Sequence, residues 1–476
     1  MRRAMVVLLV VAGAGAVGTG CGAAAAAPRG ADGWDPRIVP IARKVEKLRR
    51  LRFKHPVRTE FLTVAKFRTR VTADEDTITR KDRREIRTGE AELRALGLVD
   101  GSFDLFATVN EVSGSGVLAY YDPEKSRIVV RGQRLDAEAR VTLAHELTHA
   151  LQDQHYNMEK LRSRTKTAGA DDAVVALIEG DATRIESEYY FDLSNRDQRA
   201  VDKAEGFAGN ANDPVPGPEM DSDAASAGIV GALFQAPYAF GPQMVDVILA
   251  VGNRRGLDRA FRHPPITQLQ YLFPTQALHR GIPVPLRRPK LASGSRRLVA
   301  DQPDDFGAAD LYFMLASRLP SSISLRAADA WGNGKELISR SDGRTCVDLV
   351  FAGRNRAGGQ RLGRTIRLWA ASMPTGDVTV SRDGLTIRGC DPGTGVDGPP
   401  NSAEDALLFA AIRNTFVSDI VNEGAPVPLA ACIGDRIIER PEFAGLVATA
   451  EEQRAPTEDE IAAVGSVLET LIPGCD

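Results

Sequence analysis

Histidine is scarce in this chain, six residues in 476, so two of them at a short fixed spacing carry information that chance rarely supplies. Net charge is nearly absent too: 60 lysines and arginines against 63 aspartates and glutamates leave a formal -3. That balance gives no electrostatic footing for nucleic acid, which normally requires a clustered basic surface, and no nucleic-acid partner is expected. Basic runs such as Arg49-Arg50-Leu51-Arg52 and Lys81-Asp82-Arg83-Arg84 read as solvated helix faces. Beyond Val17 no apolar stretch approaches the ~20 residues that a spanning helix needs, so the body is expected to be soluble. A hydrophobic share of 43% with 26% charged residues excludes wholesale disorder, and the length suffices for two or three domains.

Cysteine is also rare, and its placement is informative. Arg2 and Arg3 precede an apolar run from Ala4 to Val17, the pattern of an export signal over residues 1–20. Gly18-Thr19-Gly20-Cys21 resembles a bacterial lipobox, whose cysteine becomes a lipidated N-terminus holding the protein on the membrane outside the cytoplasm. Gly18 departs from the aliphatic residue usual there, and Ala23 to Ala27 offers an ordinary cleavage site that would give a secreted protein instead. Without Cys21, four cysteines are left, Cys346, Cys390, Cys432 and Cys475, an even number suited to an oxidising compartment. Of the possible connectivities, Cys346 with Cys390 and Cys432 with Cys475 keeps each pair within one local segment; four free buried thiols are the alternative.

The signal is followed by a Gly/Ala/Pro-rich tether, residues 21–36, and an amphipathic helix over Ile38 to Leu51. Arg58 to Val64 reads as a strand and Asp74 to Leu96 as a charged helix ending at Gly97. Gly116 to Tyr121 and Arg127 to Val130, separated by Asp122-Pro123, form an expected hairpin. A helix capped by Asp136 then runs to about Gln154, and a second strong helix spans Asp172 to Phe191 after a polar stretch, Arg162 to Ala170. Asn210 to Pro218 is a Pro/Gly/Asp-rich separator before helices near Ile229 to Gly252. Arg344 to Ala352, Arg364 to Ala371 and Val378 to Arg388 alternate as strands do. Asp391 to Pro400 is linker-like, and a small helical unit clamped by Cys432 and Cys475 closes the chain. The expected fold class is α+β, with a catalytic domain over residues 37–320, a β-rich portion over 321–395 and a helical C-terminal unit over 396–476.

The chemistry concentrates in His145-Glu146-Leu147-Thr148-His149. On a helix, residues four apart share a face, so both imidazoles can reach one cation, and Glu146 can lean toward the open coordination position as general base. A helix whose polar residues merely meet solvent is the bland alternative. A catalytic zinc site needs a third protein ligand, and Glu179, in Ala176-Leu177-Ile178-Glu179-Gly180-Asp181-Ala182-Thr183, sits on the next strong helix among apolar neighbours. Glu186, two turns farther on, competes for that role. Gly180 costs up to ~1 kcal/mol inside a helix, which makes sense where another backbone must come close. Asp153, a turn beyond His149, is a candidate acceptor for that imidazole or else a solvated carboxylate, while His155 and Tyr156 lie too far along the helix to touch the ion.

The pairing of His145-Glu-Leu-Thr-His149-Ala-Leu-Gln-Asp-Gln-His155 with Glu179-Gly-Asp-Ala-Thr183 resembles the gluzincin metallopeptidases, and within them a bacterial group of exported or lipidated metalloproteases. The similarity extends to Ala119-Tyr-Tyr-Asp-Pro123, Pro237-Tyr238 and His263-Pro-Pro-Ile-Thr-Gln268, and covers roughly residues 37 to 335. It implies a small sheet followed by the motif helix and a helical lobe, with His145, His149 and Glu179 as zinc ligands and a peptide or protein substrate. The implied reaction is metal-assisted hydrolysis in which Glu146 takes a proton from water and returns it to the leaving amine. Tyr238 and His263 are candidate donors to the oxyanion, each set against a purely structural role. Relatives are expected to carry a His-Pro pair where this chain has Phe273-Pro274, so any help from that histidine is absent. A different class of reading is an exported, non-catalytic binding or scaffold lipoprotein with a structural or vestigial metal site. Glu146 argues against it, since a retired site has no chemical use for that carboxylate.

Overall fold

The computed structural model describes residues 33–72, 78–114, 117–204, 228–299, 305–374, 376–452, 454 and 456–475. The export signal, Cys21, most of the tether and the Asn210 to Pro218 separator lie outside the described residues. The architecture is mixed α+β, mainly helical with two small sheets.

Helix α1 (Val39–Arg49) ends where Arg50 turns left-handed at φ 56°. Strands β1 (Arg58–Leu62), β2 (Ala119–Asp122) and β3 (Arg127–Arg131) make the first sheet in the order β1-β3-β2, with β1 parallel and β2 antiparallel to the central β3. Alternation along β3 is clear: Ile128 and Val130 join the core that holds α1, while Val129 packs with Leu62 and Phe67 on the opposite side. Phe67 belongs to α2 (Val64–Val71), a helix that the sequence reading did not anticipate. Helices α3 (Arg80–Ala95) and α4 (Leu105–Gly114) complete this region, with α3 opened by a capping box between Thr79 and Asp82.

The expected hairpin is β2 and β3, and it leads into the motif helix α5 (Ala137–Tyr156). Asp136 caps that helix, its carboxylate accepting the Ala139 N–H at 3.0 Å. Then come α6 (Met158–Ser163), α7 (Ala168–Phe191), α8 (Asn195–Ala204) and the long α9 (Gly228–Arg262). Helix α9 contains Pro237 and Pro242 and breaks at Asn253, whose φ of 49° and ψ of -163° are not helical. It crosses α7 at close range: a Cβ on Gly180 would stand 2.3 Å from the Gly241 carbonyl carbon and oxygen. Gly180 is therefore where a neighbouring backbone approaches, and that backbone is α9 rather than the motif helix.

Short α10 (Leu269–Leu272) precedes the second half of the chain, where β4 (Arg296–Arg297), α11 (Ala308–Ala316), α12 (Ser321–Asp329), β5 (Trp331–Ser341), β6 (Arg344–Gly353), α13 (Arg356–Ala371), β7 (Val378–Val380) and β8 (Thr386–Cys390) follow. The second sheet is antiparallel in the order β4-β5-β6-β8-β7. Asp342 and Gly343, both left-handed, turn β5 tightly into β6. Arg364 to Ala371, expected as a strand, is the second half of α13: Leu362, Ile366 and Trp369 are fully buried at helical spacing, which outweighs the local alternation. Four helices, α14 (Ala403–Asn422), α15 (Val427–Ile437), α16 (Pro441–Glu451) and α17 (Glu458–Leu471), form the C-terminal part. Both expected disulfides are present: Cys346–Cys390 joins register partners on β6 and β8, and Cys432–Cys475 ties α15 to the chain end. No described helix is long and apolar enough to cross a membrane.

Candidate metal centre

Helices α5 and α7 pack side by side and bring together residues 30 or more positions apart in the chain. The Nε2 atoms of His145 and His149 are 2.9 Å apart, and each lies 3.2 Å from Glu179 Oε2. A four-coordinate zinc with bonds of about 2.0–2.1 Å would separate its ligand atoms by about 3.3 Å, so the trio fits that ion in spacing and in donor chemistry. This is the one His/Cys/Asp/Glu group among the described residues that meets the spacing for metal binding.

The outward nitrogens of both rings are engaged. His145 Nδ1 is 2.9 Å from Glu186 Oε2, so Glu186 stands behind the first imidazole instead of replacing Glu179. His149 Nδ1 is 3.1 Å from Gln152 Oε1. With Nδ1 engaged outward on each ring, Nε2 is the nitrogen that either imidazole would turn to a cation at the shared point. Asp153 does not serve His149: it accepts from Tyr121 Oη at 2.8 Å and from the Met158 N–H at 2.9 Å, because residue 153 projects toward β2 while residue 152 projects toward α7. As expected, His155 and Tyr156 sit elsewhere, on the Arg52 carbonyl and on Asp258.

The electrostatics follow from burying charge in one place. Burial by itself would lower the His145 pKa, but Glu186 and Glu179 overcome it and hold the ring well above the ordinary histidine range. For His149, burial again opposes the charged form and Glu179 outweighs it, so its pKa is also raised. Burial pushes Glu179 upward, yet the two imidazoles more than offset this and leave its carboxyl below the usual range. Glu146 is buried with only partial relief from His149 and His145, so its pKa is raised; its carboxylate accepts the Tyr121 backbone N–H. A carboxylate with a raised proton affinity beside the ligand set is suited to taking up a proton.

Tyr238, on α9 one turn before Gly241, hydrogen-bonds Glu179; burial first, then the Glu179 and Glu146 charges, keep its hydroxyl protonated well past the ordinary tyrosine range. The close α7–α9 crossing brings it there. His263 is not brought to the site: it is exposed just past the end of α9, its N–H on the Arg259 carbonyl. Phe273 is buried with the Arg413 guanidinium 5.1 Å from its ring centre. Thr267-Gln268 has a structural use, since buried Gln268 donates to Asp172 and Asp310 and accepts from the Ala309 and Asp310 N–H groups at the start of α11. Gln152 and the acceptor role of Glu186 escaped the sequence reading; helical spacing from His149 offered Asp153 and Gln152 alike.

No family model, no curated protein and no solved structure matches the chain.

Proposed function

We propose that this chain is a zinc-dependent metallohydrolase of gluzincin type, acting on peptide bonds, with His145, His149 and Glu179 as ligands. The observation that carries the reading is the convergence of three ligand atoms within 4.8 Å of one another beside a buried carboxylate that is not among them, Glu146. Three protein ligands leave a four-coordinate ion one position for water or substrate. A zinc ion held there supplies Lewis acidity at neutral pH. Glu146 accepts the proton of the attacking water and delivers it to the leaving amine, and Tyr238 donates its hydroxyl to the oxygen that gains negative charge. A groove of about 230 Å³ lies alongside, bounded by Ala119, Val130, Arg131, Glu138 and Thr142. Thr142 is one helical turn before Glu146, and β2 is an edge strand whose main chain at Ala119 faces away from β3, as at Tyr121.

The protein is proposed to work outside the cytoplasm, held on the membrane by a lipid at Cys21 or secreted; two disulfides agree with an oxidising compartment. The test combines metal analysis of the purified exported chain with a peptide library offered to wild type and Glu146→Gln. Near one zinc per chain is expected in both, with cleavage in the wild type alone, down at least ~10³-fold in the variant if loss of the proton acceptor is decisive. Equal cleavage by both would remove Glu146 as base, and zinc binding without cleavage by either would favour the non-catalytic binding role.

A further inference from the structure

We infer that Gln152, Asp181 and Arg49 form a buried positioning relay that fixes the His149 imidazole as donor at Nδ1 and so commits its Nε2 to the metal; this rests on the metal-site reading above. Gln152 is fully buried, one turn after His149, with Oε1 3.1 Å from Nδ1. Its amide cannot turn over without loss. Gln152 Nε2 donates to the Ile178 carbonyl at 3.0 Å and to Asp181 Oδ2 at 3.1 Å, and both of those partners only accept. With the amide nitrogen committed on that side, its oxygen must face the ring, and an oxygen there requires the ring to present N–H.

Asp181 holds the amide and is itself held. It is 0% exposed, and Oδ2 also takes the Arg49 Nε at 2.7 Å, while Oδ1 takes Arg184 Nη2 at 3.3 Å. Arg49, 1% exposed at the end of α1, places Nη2 3.0 Å from Asp258 Oδ1, which also accepts the Tyr156 hydroxyl at 2.7 Å. The two imidazoles are thus backed differently: Glu186 puts a carboxylate directly on His145, whereas His149 meets a neutral amide with the charges one group farther out. Burying an ion pair is a poor device for stability alone, since apolar residues of similar volume serve as well or better. As the fixed end of a hydrogen-bond chain it gains a purpose: the guanidinium orients Asp181, Asp181 orients the amide, and the amide orients the ring. Arg49, Asp181 and Asp258 lie on α1, α7 and α9, so three helices converge on one ligand's orientation.

The measurement is zinc affinity by competition with a chromophoric chelator, on the full exported chain. Gln152→Leu is expected to weaken zinc binding about 10–100-fold; Gln152→Glu keeps an acceptor toward His149 but sets a second one against the Ile178 carbonyl and Asp181, so it is expected to restore affinity only when paired with Asp181→Asn, whose amide can donate to it. Gln152→Asn, which draws the amide back by one methylene, carries the same expectation as leucine and serves if the leucine variant does not fold. Asp181→Asn should weaken zinc binding in the wild-type background and have no further effect once Gln152 is leucine or asparagine. Unchanged affinity in both Gln152→Leu and Gln152→Asn overturns the relay, as does an Asp181→Asn effect of the same size in both backgrounds. A wild type that binds no zinc overturns the metal-site reading itself, a result separate from either of these.

Discussion

Tyr238 holds its proton because burial disfavours phenolate and the Glu179 and Glu146 carboxylates repel it further. A hydroxyl kept in that state donates without first being recharged, which is what an oxygen gaining charge requires. Tyr238→Phe is expected to lower kcat about 10²-fold with KM changed little and zinc content unaltered; a rise in KM at constant kcat would assign it to ground-state binding instead. At this scale the sequence was readable where chemistry is local. His145, Glu146 and His149 are spaced by the helix itself, so their shared face needs no tertiary knowledge. Glu179 could be singled out because a carboxylate between Ile178 and Gly180 has no other evident purpose. Gln152 could not, since its acceptor role depends on Ile178 and Asp181 of another helix, and Glu186 competed for the ligand position until the register of α5 against α7 put it behind His145.

Between elements, the α7–α9 crossing decides where Tyr238 stands, and it depends on two glycines. A Cβ on Gly180 would meet the Gly241 backbone at 2.3 Å, and one on Gly241 would meet the Ala176 carbonyl oxygen at 2.3 Å. Backbone cannot step aside as a flexible side chain can. Gly180→Ala is therefore expected to destabilise the protein by about 1–3 kcal/mol in urea unfolding, even though alanine favours a helix by up to ~1 kcal/mol. Gly445→Ala is the contrast: Gly445 is an exposed position of α16 with nothing within 4 Å of the added carbon, and the change should be neutral or stabilising by up to ~1 kcal/mol. A Gly180→Ala variant as stable as Gly445→Ala would mean that the crossing is not tight. Elements with strong end signals were legible, such as α5 behind Asp136 and the β2–β3 hairpin. The half of α13 at Arg364 to Ala371 was not, because Ile366, Leu368 and Ala370 alternate over a short window while its burial repeats at helical spacing from Leu362. Helices α2 and α4 are short, and their apolar residues become an inward face only against β3 and the main core.

Across the molecule, the candidate centre sits where two hydrophobic cores meet. Val141, Leu143, Ala144, Leu147, Ala150 and Leu151 commit the motif helix to the core that contains α1 and the first sheet. Helix α7 changes sides: Ala173 to Ile178 pack in the larger core with α9 and the C-terminal helices, whereas Ile185 and Tyr189 pack with the motif helix. Glu179 falls at that changeover. An ion shared by His145, His149 and Glu179 would therefore link the two cores, and its binding free energy would add to the stability of both through their common helix. At free zinc a thousandfold above Kd, mass action contributes about 4 kcal/mol. Stripping the purified chain with chelator should lower its melting temperature by several degrees, and returning zinc should restore it with a dependence on zinc concentration that follows the Kd measured by competition. In His149→Ala the melting temperature should no longer respond to zinc. A wild type that binds zinc tightly yet melts at the same temperature with and without it would require the unfolded chain to hold the ion as well as the folded one, and two histidines and a glutamate 34 residues from the first of them have no means of converging without the α5–α7 pairing.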